Sequence, residues 1–416
     1  MFLQLKVYCI KVLTWGLPGI WQYAKTWIHR RRIQKFLLKD AKRHPFPNSE
    51  RGVTLIGKFT QQASHSKTLR DFAWALRRAG IPYQTLNTDE NPNVPESDVA
   101  DLLPPLDSFH IRRFSHVVEI LPSIIPPKLH LNLSRIAFWE FESGFLHAYP
   151  DMPLSANIIA MSDFNAAYFR SILPPSVHVR KISYPFHAQS NDLEDSCAIR
   201  SRYGISTGEF VVFFNFDFGS SYYRKNPEGA MRAFAKAFRD MPDTRLVFKT
   251  MRAKSRPDLL ARAEELAKDL GISEKLTMIH SYIPESDIFG LTNACDVYLS
   301  LHRGEGFGIT LAEAMSMGKP VVCTNWSSTT EFCLPDCCIP IPYKLVPVRP
   351  EQIDHPYYQE VKEWAEPDID AAAAALRRLH GNAELRQEIG EKARHSISRQ
   401  FAVTDLRQSI EAFLDS

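Results

Sequence analysis

Three features that would each define a class of protein are missing from this sequence. No two of its seven cysteines (9, 197, 295, 323, 333, 337, 338) stand in C-x-x-C spacing and their number is odd, so neither a disulfide framework nor a zinc site is indicated. A reducing, cytosolic setting fits, with Cys333, Cys337 and Cys338 as small buried hydrophobes. No run reaches the ~20 clean apolar residues that a membrane-spanning helix needs. No small-residue cleavage site follows the apolar N-terminal stretch, which argues against a cleaved secretory signal. What is present is ordinary for a globular chain: 416 residues, 44% of them hydrophobic, enough for about two to three domains.

The net charge of +3 conceals a local excess. Residues 1–43 carry ten Lys or Arg against Asp40 alone, a net +9 that leaves −6 for the remainder. Aromatic and aliphatic residues, among them Trp15, Trp21, Tyr23, Trp27 and Ile28, lie between these cations. Lys6, Lys11 and Lys25 interrupt the apolar run, and Gly16-Leu17-Pro18-Gly19 breaks it. Two readings stand open: a basic amphipathic segment lying on an anionic membrane face, with Arg30-Arg31-Arg32 at headgroup level, or helices packed on a domain or partner surface. His44-Pro45-Phe46-Pro47-Asn48 then reads as a stiff linker.

From Arg51 onward, apolar runs alternate with amphipathic stretches. Val53–Phe59 reads as a strand, Thr68–Ala79 as a helix stopped by Gly80, and Pro82–Leu86 as a strand; this is one βαβ unit. Further strands are expected at His116–Leu121, Arg135–Trp139, Asn157–Met161 and Val177–Ser183, with a helix at Asp163–Ser171. Residues 187–198 lose hydrophobicity and read as an interdomain linker. A second series follows, with strands at Phe210–Phe216, Arg245–Lys249 and Leu276–Ile279, and helices at Pro227–Phe238, Pro257–Leu270 and Glu285–Asn293. The fold class is α/β, with two doubly wound parallel sheets. Residues 49–190 and 191–400 form the two domains, 1–48 the basic segment and linker, and 401–416 a terminal helix.

The second series ends in residues 296–324, a strand, a loop with glycines at 304, 306 and 308, a short helix from Thr310 to Met317, and a strand from Pro320. Such a turn aims backbone N–H groups and the positive end of a helix at one spot, which suits a phosphate. Glu305 lies in that loop and Glu313 on the helix. Ligands of doubly wound sheets sit beyond the carboxyl ends of the strands, where Ser220, Arg224, Lys225 and Lys249 also fall. Glu313 has a second reading, since Thr310-Leu311-Ala312-Glu313 matches a capping box. Asp368-Ile369-Asp370 resembles a metal-binding D-x-D but reads more simply as an N-cap with an acidic first turn, so no divalent ion is expected.

The stretch HRGEGFGITLAEAMSMGKPVV resembles the signature of the large retaining glycosyltransferase family 4, whose GT-B architecture has two facing Rossmann-like domains. The loop DFGSSYYRKNP, the segment Trp364–Asp368 and the C-terminal helices are also similar to that family. The likeness is strong over 210–330, moderate elsewhere from residue 51, and absent from the first 48 residues. It implies transfer of a sugar from a nucleotide-diphosphate sugar with retention of anomeric configuration, no cofactor and no metal. Under the resemblance Glu305 holds donor-sugar hydroxyls, while Gly306, Phe307 and Gly308 offer backbone N–H groups. Glu313 accepts from the ribose, Lys225 neutralises the diphosphate, and Arg224 or Lys249 supplies a second positive charge. The last helix commonly crosses back to the N-terminal domain.

This sequence departs from the family pattern at two places. Gly219 stands where many members have an Arg, so Ser220 or Ser221 and Arg224 would have to compensate. Where many have a His facing the donor sugar, this chain reads Trp139-Glu140-Phe141-Glu142, with Glu140 or Glu142 in that place. The expected function is a hexosyltransferase acting on a glycolipid or cell-surface polysaccharide, cytoplasmic and peripheral at the inner face of a membrane. Its partners would be a nucleotide sugar, a glycan or glycolipid acceptor and the membrane surface, with no nucleic acid. The alternatives are a catalytically silent homologue that binds nucleotide sugar or glycan, and a non-transferring sugar-nucleotide epimerase.

Overall fold

A computed structural model describes residues 25–44, 50–90, 92–94, 99–103, 109–111, 113–121, 124–125, 129, 131–187 and 194–415. They divide into two compact units, the first built from the described residues of 1–138, 146–187 and 401–415, the second from 139–145 and 194–400.

The first unit begins with a helix, α1 (residues 25–43). There follow β1 (Glu50–Gly57), α2 (Ser64–Ala79), β2 (Tyr83–Asn87), β3 (Phe114–Ile120), β4 (Leu133–Ala137), a single turn α3 (Phe145–Ala148), β5 (Asn157–Ala160), α4 (Asp163–Ile172) and β6 (His178–Lys181). All neighbours in the sheet β2-β1-β3-β4-β5-β6 run parallel. Its inner strands are buried on both faces, as runs such as Val53-Thr54-Leu55-Ile56 require. Gly80 ends α2 in the left-handed region (φ 69°), where glycine carries no Cβ penalty.

Helix α1 answers part of the question left open for the basic segment. Leu37 and Ala41 join a buried cluster with Ile56, Leu86, Ile111 and Val117. Buried Asp40 accepts from Ile111 N at 2.7 Å, and Gln34 donates to Ile124 O at 3.1 Å. One face of 25–43 is therefore packed on the domain. The anchor reading for residues 1–24 lies outside the described residues. At the other end of the chain, α13 (Val403–Leu414) packs against α2, with Phe413 4.9 Å from the His116 ring.

In the second unit come α5 (Ser196–Arg202), β7 (Phe210–Asp217), α6 (Tyr222–Lys225), α7 (Pro227–Phe238), β8 (Thr244–Met251), α8 (Pro257–Asp269), β9 (Leu276–Ile279) and α9 (Glu285–Ala294). Next are β10 (Val297–Ser300), α10 (Ile309–Ser316), β11 (Val321–Thr324), β12 (Ile339–Ile341), β13 (Tyr343–Pro347), β14 (Glu363–Pro367), α11 (Ile369–His380) and α12 (Ala383–Gln400). The parallel sheet runs β12-β11-β10-β7-β8-β9, and β13 pairs antiparallel with β14.

Three details differ from the sequence reading. The expected linker already turns helical at Ser196, because Asp195 caps α5 by accepting from Cys197 N and Ala198 N. The antiparallel β13–β14 pair has no counterpart in the sequence reading. Residues 139–145, expected in the first domain, group with the second unit instead. Aromatic packing explains this: Trp139 and Phe141 lie 5.6 and 5.0 Å from the Tyr358 ring. Ser143 Oγ also accepts from Lys362 N at 3.0 Å, and Gly144 (φ 84°) fits against the Glu360–Val361 backbone.

Candidate functional site

Strand order makes β10, β7 and β8 neighbours, so the chain beyond their carboxyl ends, residues 301–308, 218–226 and 252–256, converges on one edge of the second sheet. Beyond β7, two non-glycine residues hold positive φ, Ser221 (73°) and Asn226 (56°). Each serves as a cap: Ser221 Oγ accepts from Arg224 N at 3.2 Å, and Asn226 Oδ1 from Gly229 N at 3.0 Å. Strained turns of this kind persist where the surroundings over-determine them, commonly at functional sites.

These turns present Arg224 and Lys225 to the glycine loop. Lys225 Nζ pairs with Glu305 Oε1, while Arg224 Nη1 lies 3.6 Å from Glu305 Oε2. Arg224 is also tied to the backbone, donating to Gly304 O at 2.8 Å and Ser220 O at 2.8 Å. Its Nη2 stands 3.8 Å from Glu140 Oε1. Glu140, Arg224, Glu305 and Lys225 thus form a chain of alternating charge. Burial alone would raise the Glu305 carboxyl, but Lys225 and Arg224 outweigh it and hold the group down at about 2. Glu305 is ionised at neutral pH. Glu140 moves the other way: burial raises it and Glu305 adds to that, against the opposing pull of Arg224.

The glycine loop is shaped for a close approach. Gly308 (φ 97°) caps α10, and a Cβ there would lie 2.6 Å from Thr329 Cγ2. Gly304 is packed on Glu140, where a Cβ would meet the carbonyl oxygen at 2.6 Å. Glu305 N donates to Ser327 Oγ at 2.9 Å, and Phe307 is buried against Phe332. Since α10 starts at Ile309, Thr310 lies inside its first turn and is not the N-cap. The capping-box reading of Glu313 therefore fails on position, and Glu313 is a buried carboxylate of the first helical turns.

Other candidates separate. Glu142 is exposed, whereas Glu140 belongs to the ionic chain. Lys249 is buried on β8 and donates to Thr250 O at 2.9 Å; burial lowers its ammonium to about 8 against the opposing effect of Asp217. Among the described residues, the Glu305 ion pairs are with Lys225 and Arg224 and not with Lys249. The side chain of Ser220 is half-exposed, and its carbonyl serves Arg224. Asp368 caps α11, accepting from Ala371 N at 3.0 Å, and Asp370 pairs with Lys236. Half-buried Trp326 packs on Tyr343, 5.2 Å between ring centroids.

Sequence reasoning missed three residues. Arg252 (φ 55°) follows β8 and pairs with Asp217 at 2.9 Å; its guanidinium lies where a side chain at 219 would go, 2.5 Å from a Cβ built on Gly219. A guanidinium thus reaches the place beside Gly219 from the neighbouring strand, a placement legible only once β7 and β8 are known to pair. Tyr358 hydrogen-bonds Glu140 and carries Arg224 6.0 Å above its ring. Buried His302 contacts Ser300 Oγ at 3.1 Å, and burial lowers its ring to about 4, so it is neutral at pH 7. A separate cavity of about 200 Å³ includes Tyr223 and four arginines; Arg232 and Arg262 pair with Glu228 and Arg303 with Glu366, so its charge is largely neutralised internally.

With this geometry in hand, the likeness to known proteins can be stated. Residues 198–333 match the family described as Glycosyl transferases group 1. Alpha-monoglucosyldiacylglycerol synthase of Streptococcus pneumoniae is 25% identical over 223 residues, 53% of this chain and 46% of that protein. Lipopolysaccharide glucosyltransferase WaaG of Escherichia coli is 28% identical over 154 residues, 37% of each chain. The matched stretches therefore span less than half of these curated relatives. Among solved structures, Anabaena HepE in complex with UDP and glucose superposes with a TM-score of 0.61 at 14% identity, covering 88% of this chain and 100% of that one, a likeness of fold. The matched region identifies residues 198–333 with the group 1 glycosyltransferases, and the two six-stranded parallel sheets have the GT-B fold.

Proposed function

We propose that the protein moves a hexosyl group from a nucleotide-diphosphate sugar to a glycolipid or cell-surface polysaccharide, with retention of configuration and without a divalent ion. The observation that carries this reading is the ionised Glu305, held between Lys225 and Arg224 in a glycine loop at the sheet edge. In the proposed reaction the bond from the anomeric carbon to the diphosphate breaks, its electron pair goes to the phosphate oxygen, and the acceptor oxygen bonds to the same face. The acceptor proton passes to the departing phosphate. Charge grows on the leaving group as this happens, and fixed cations with N–H dipoles in a water-poor site stabilise it.

Roles follow from position. Lys225 and Arg252 meet the diphosphate, Glu305 and the N–H groups from Gly306 to Gly308 meet the sugar, and Glu313 accepts from the ribose. Arg224, whose donors are engaged by Ser220 O and Gly304 O, orients Glu305 and Glu140. The carboxyl of Glu140, lifted by burial, receives and orients the acceptor hydroxyl. Arg252 beside Gly219 favours the active reading over the silent-homologue one, because it supplies the positive charge that Gly219 lacks.

The glycolipid class of acceptor is supported by the name of the pneumococcal relative and by the outer face of α1. Trp27, Ile28 and Phe36 are about half exposed there, beside the exposed Arg30, Arg31, Arg32, Lys35 and Lys39. No helix among the described residues is long and apolar enough to cross a membrane. A cationic, aromatic face suits the headgroup region of an anionic bilayer, on its cytoplasmic side.

Incubation with a panel of nucleotide sugars, with and without lipid extract, tests the reading by following free nucleoside diphosphate. Acceptor-dependent release that disappears in Glu305→Gln supports transfer. No release from any donor would leave the silent homologue, and an epimerised donor without acceptor would establish the epimerase. Flotation with anionic vesicles should weaken in a Trp27→Ala/Phe36→Ala variant; unchanged flotation removes α1 from the membrane contact.

A further inference from the structure

The cysteines that the sequence scatters are gathered by the fold. Cys323 lies within β11, Cys333 follows the turn after that strand, and Cys338 precedes β12; their three sulfur atoms lie within 4.8 Å of one another, all buried. The spacing, nine residues and then four, resembles no common ligand motif, which is why it carries no signal in sequence. Parallel pairing of β11 with β12, in which Cys323 faces Pro340, brings the first and last together. Backbone bonds from Cys333 N to Thr329 O (2.8 Å) and from Cys338 N to Leu334 O (2.9 Å) fix the intervening loop.

We propose that Cys323, Cys333 and Cys338 form a buried thiolate site for one thiophilic d10 cation, Zn2+ or Cu+, that fastens the β11–β12 crossover to α10. Three thiolates around a metal at about 2.3 Å stand roughly 3.7 to 4.0 Å apart, so the observed cluster needs only small side-chain shifts to close. A fourth donor is at hand: Met315 Sδ, on α10, lies 3.7 Å from Cys333 Sγ. Three thiolates with a thioether form a soft set that selects d10 ions over Mg2+ or Ca2+. On loading, S–H bonds give way to metal–sulfur bonds, up to three protons go to solvent, and the oxidation state of the ion does not change. Cys337 is oriented elsewhere, its thiol directed to Phe332 O and Leu334 O at 3.5 Å, and stays outside the set. Full burial leaves no position for substrate, so the site is structural and independent of the metal-free transfer proposed above.

The test is elemental analysis of tag-free full-length protein, purified under reductant and dialysed. About one zinc or copper per chain is expected in the wild type and in Cys337→Ser, falling at least tenfold in Cys323→Ser and Cys338→Ser. Should those variants fail to fold, Co2+ added to the metal-stripped wild type gives the same answer through thiolate-to-cobalt charge-transfer absorption, which Zn2+ then displaces. The proposal is overturned by a wild type that takes up none of the three metals, by metal retained in Cys323→Ser, or by a disulfide among the three found by mass spectrometry of the freshly purified chain.

Discussion

Each unit buries a carboxylate against arginine, and the two pairs are built differently. In the first, Glu119 lies within β3, where Oε1 accepts from Arg135 at 2.9 Å and Oε2 from Ile124 N and Ile125 N at 3.0 and 3.2 Å. Both carboxylate oxygens are engaged by the chain itself. In the second, Glu305 lies beyond the end of β10, in a loop whose glycines pack closely on their neighbours, and it faces two cations rather than a ring of amides. The first arrangement is complete without a ligand. The second has interactions that an anionic or polyhydroxylated ligand can exchange for its own, as the proposed donor role requires.

The sharpest way to break this contrast is Arg135→Met. It leaves Glu119 buried without its cation and should cost about 3 to 5 kcal/mol in urea unfolding. A loss below about 1 kcal/mol would remove Glu119 from the scaffold class. Lys225→Ala should show the opposite pattern, with Glu305 still facing Arg224. Donor turnover is expected to fall about a hundredfold or more, on the scale of losing one transition-state donor, with a smaller change in stability. If the two variants unfold alike, the two pairs are of one kind.

Acid sharpens the comparison next. His302 has its ring lowered to about 4 in the fold against an ordinary 6.5, and Glu305 stands at about 2 against 4.5. In both cases the unfolded chain binds the proton first, so stability is complete above the ordinary value and is lost as pH falls toward the folded one. Unfolding free energies from urea titrations between pH 7 and pH 4 should decline by on the order of 1 to 3 kcal/mol from His302, and His302→Asn should flatten that window while leaving the loss below pH 4.5. The smallest effect is expected at Arg252, partly exposed and already paired with Asp217. Arg252→Ala should raise the donor KM about tenfold, close to the worth of one charge-assisted hydrogen bond; an unchanged KM would return the second positive charge to Lys249 or Arg224.

Much of this arrangement is legible in one dimension because its signals are local. Continuous apolar runs mark buried parallel strands, and helices Pro227–Phe238 and the strand Leu276–Ile279 fall at the expected boundaries. The glycine loop and Lys225 are likewise local, since a strand, a turn and a helix within thirty residues specify where backbone N–H groups point. Boundaries shifted where capping overrode hydropathy, as Asp195 does at α5 and Gly308 at α10.

What sequence determined by itself was the alternation of strands and helices, the loop that ends at Gly308 and the two acids around it, because each depends on neighbours a few residues away. Tertiary structure alone decided that Arg252 stands beside Gly219, that Glu140 rather than Glu142 meets Arg224, and that Cys323, Cys333 and Cys338 share one buried spot. Those juxtapositions come from strand order and from aromatic packing on Tyr358, interactions between residues far apart in the chain whose spacing leaves no periodic trace.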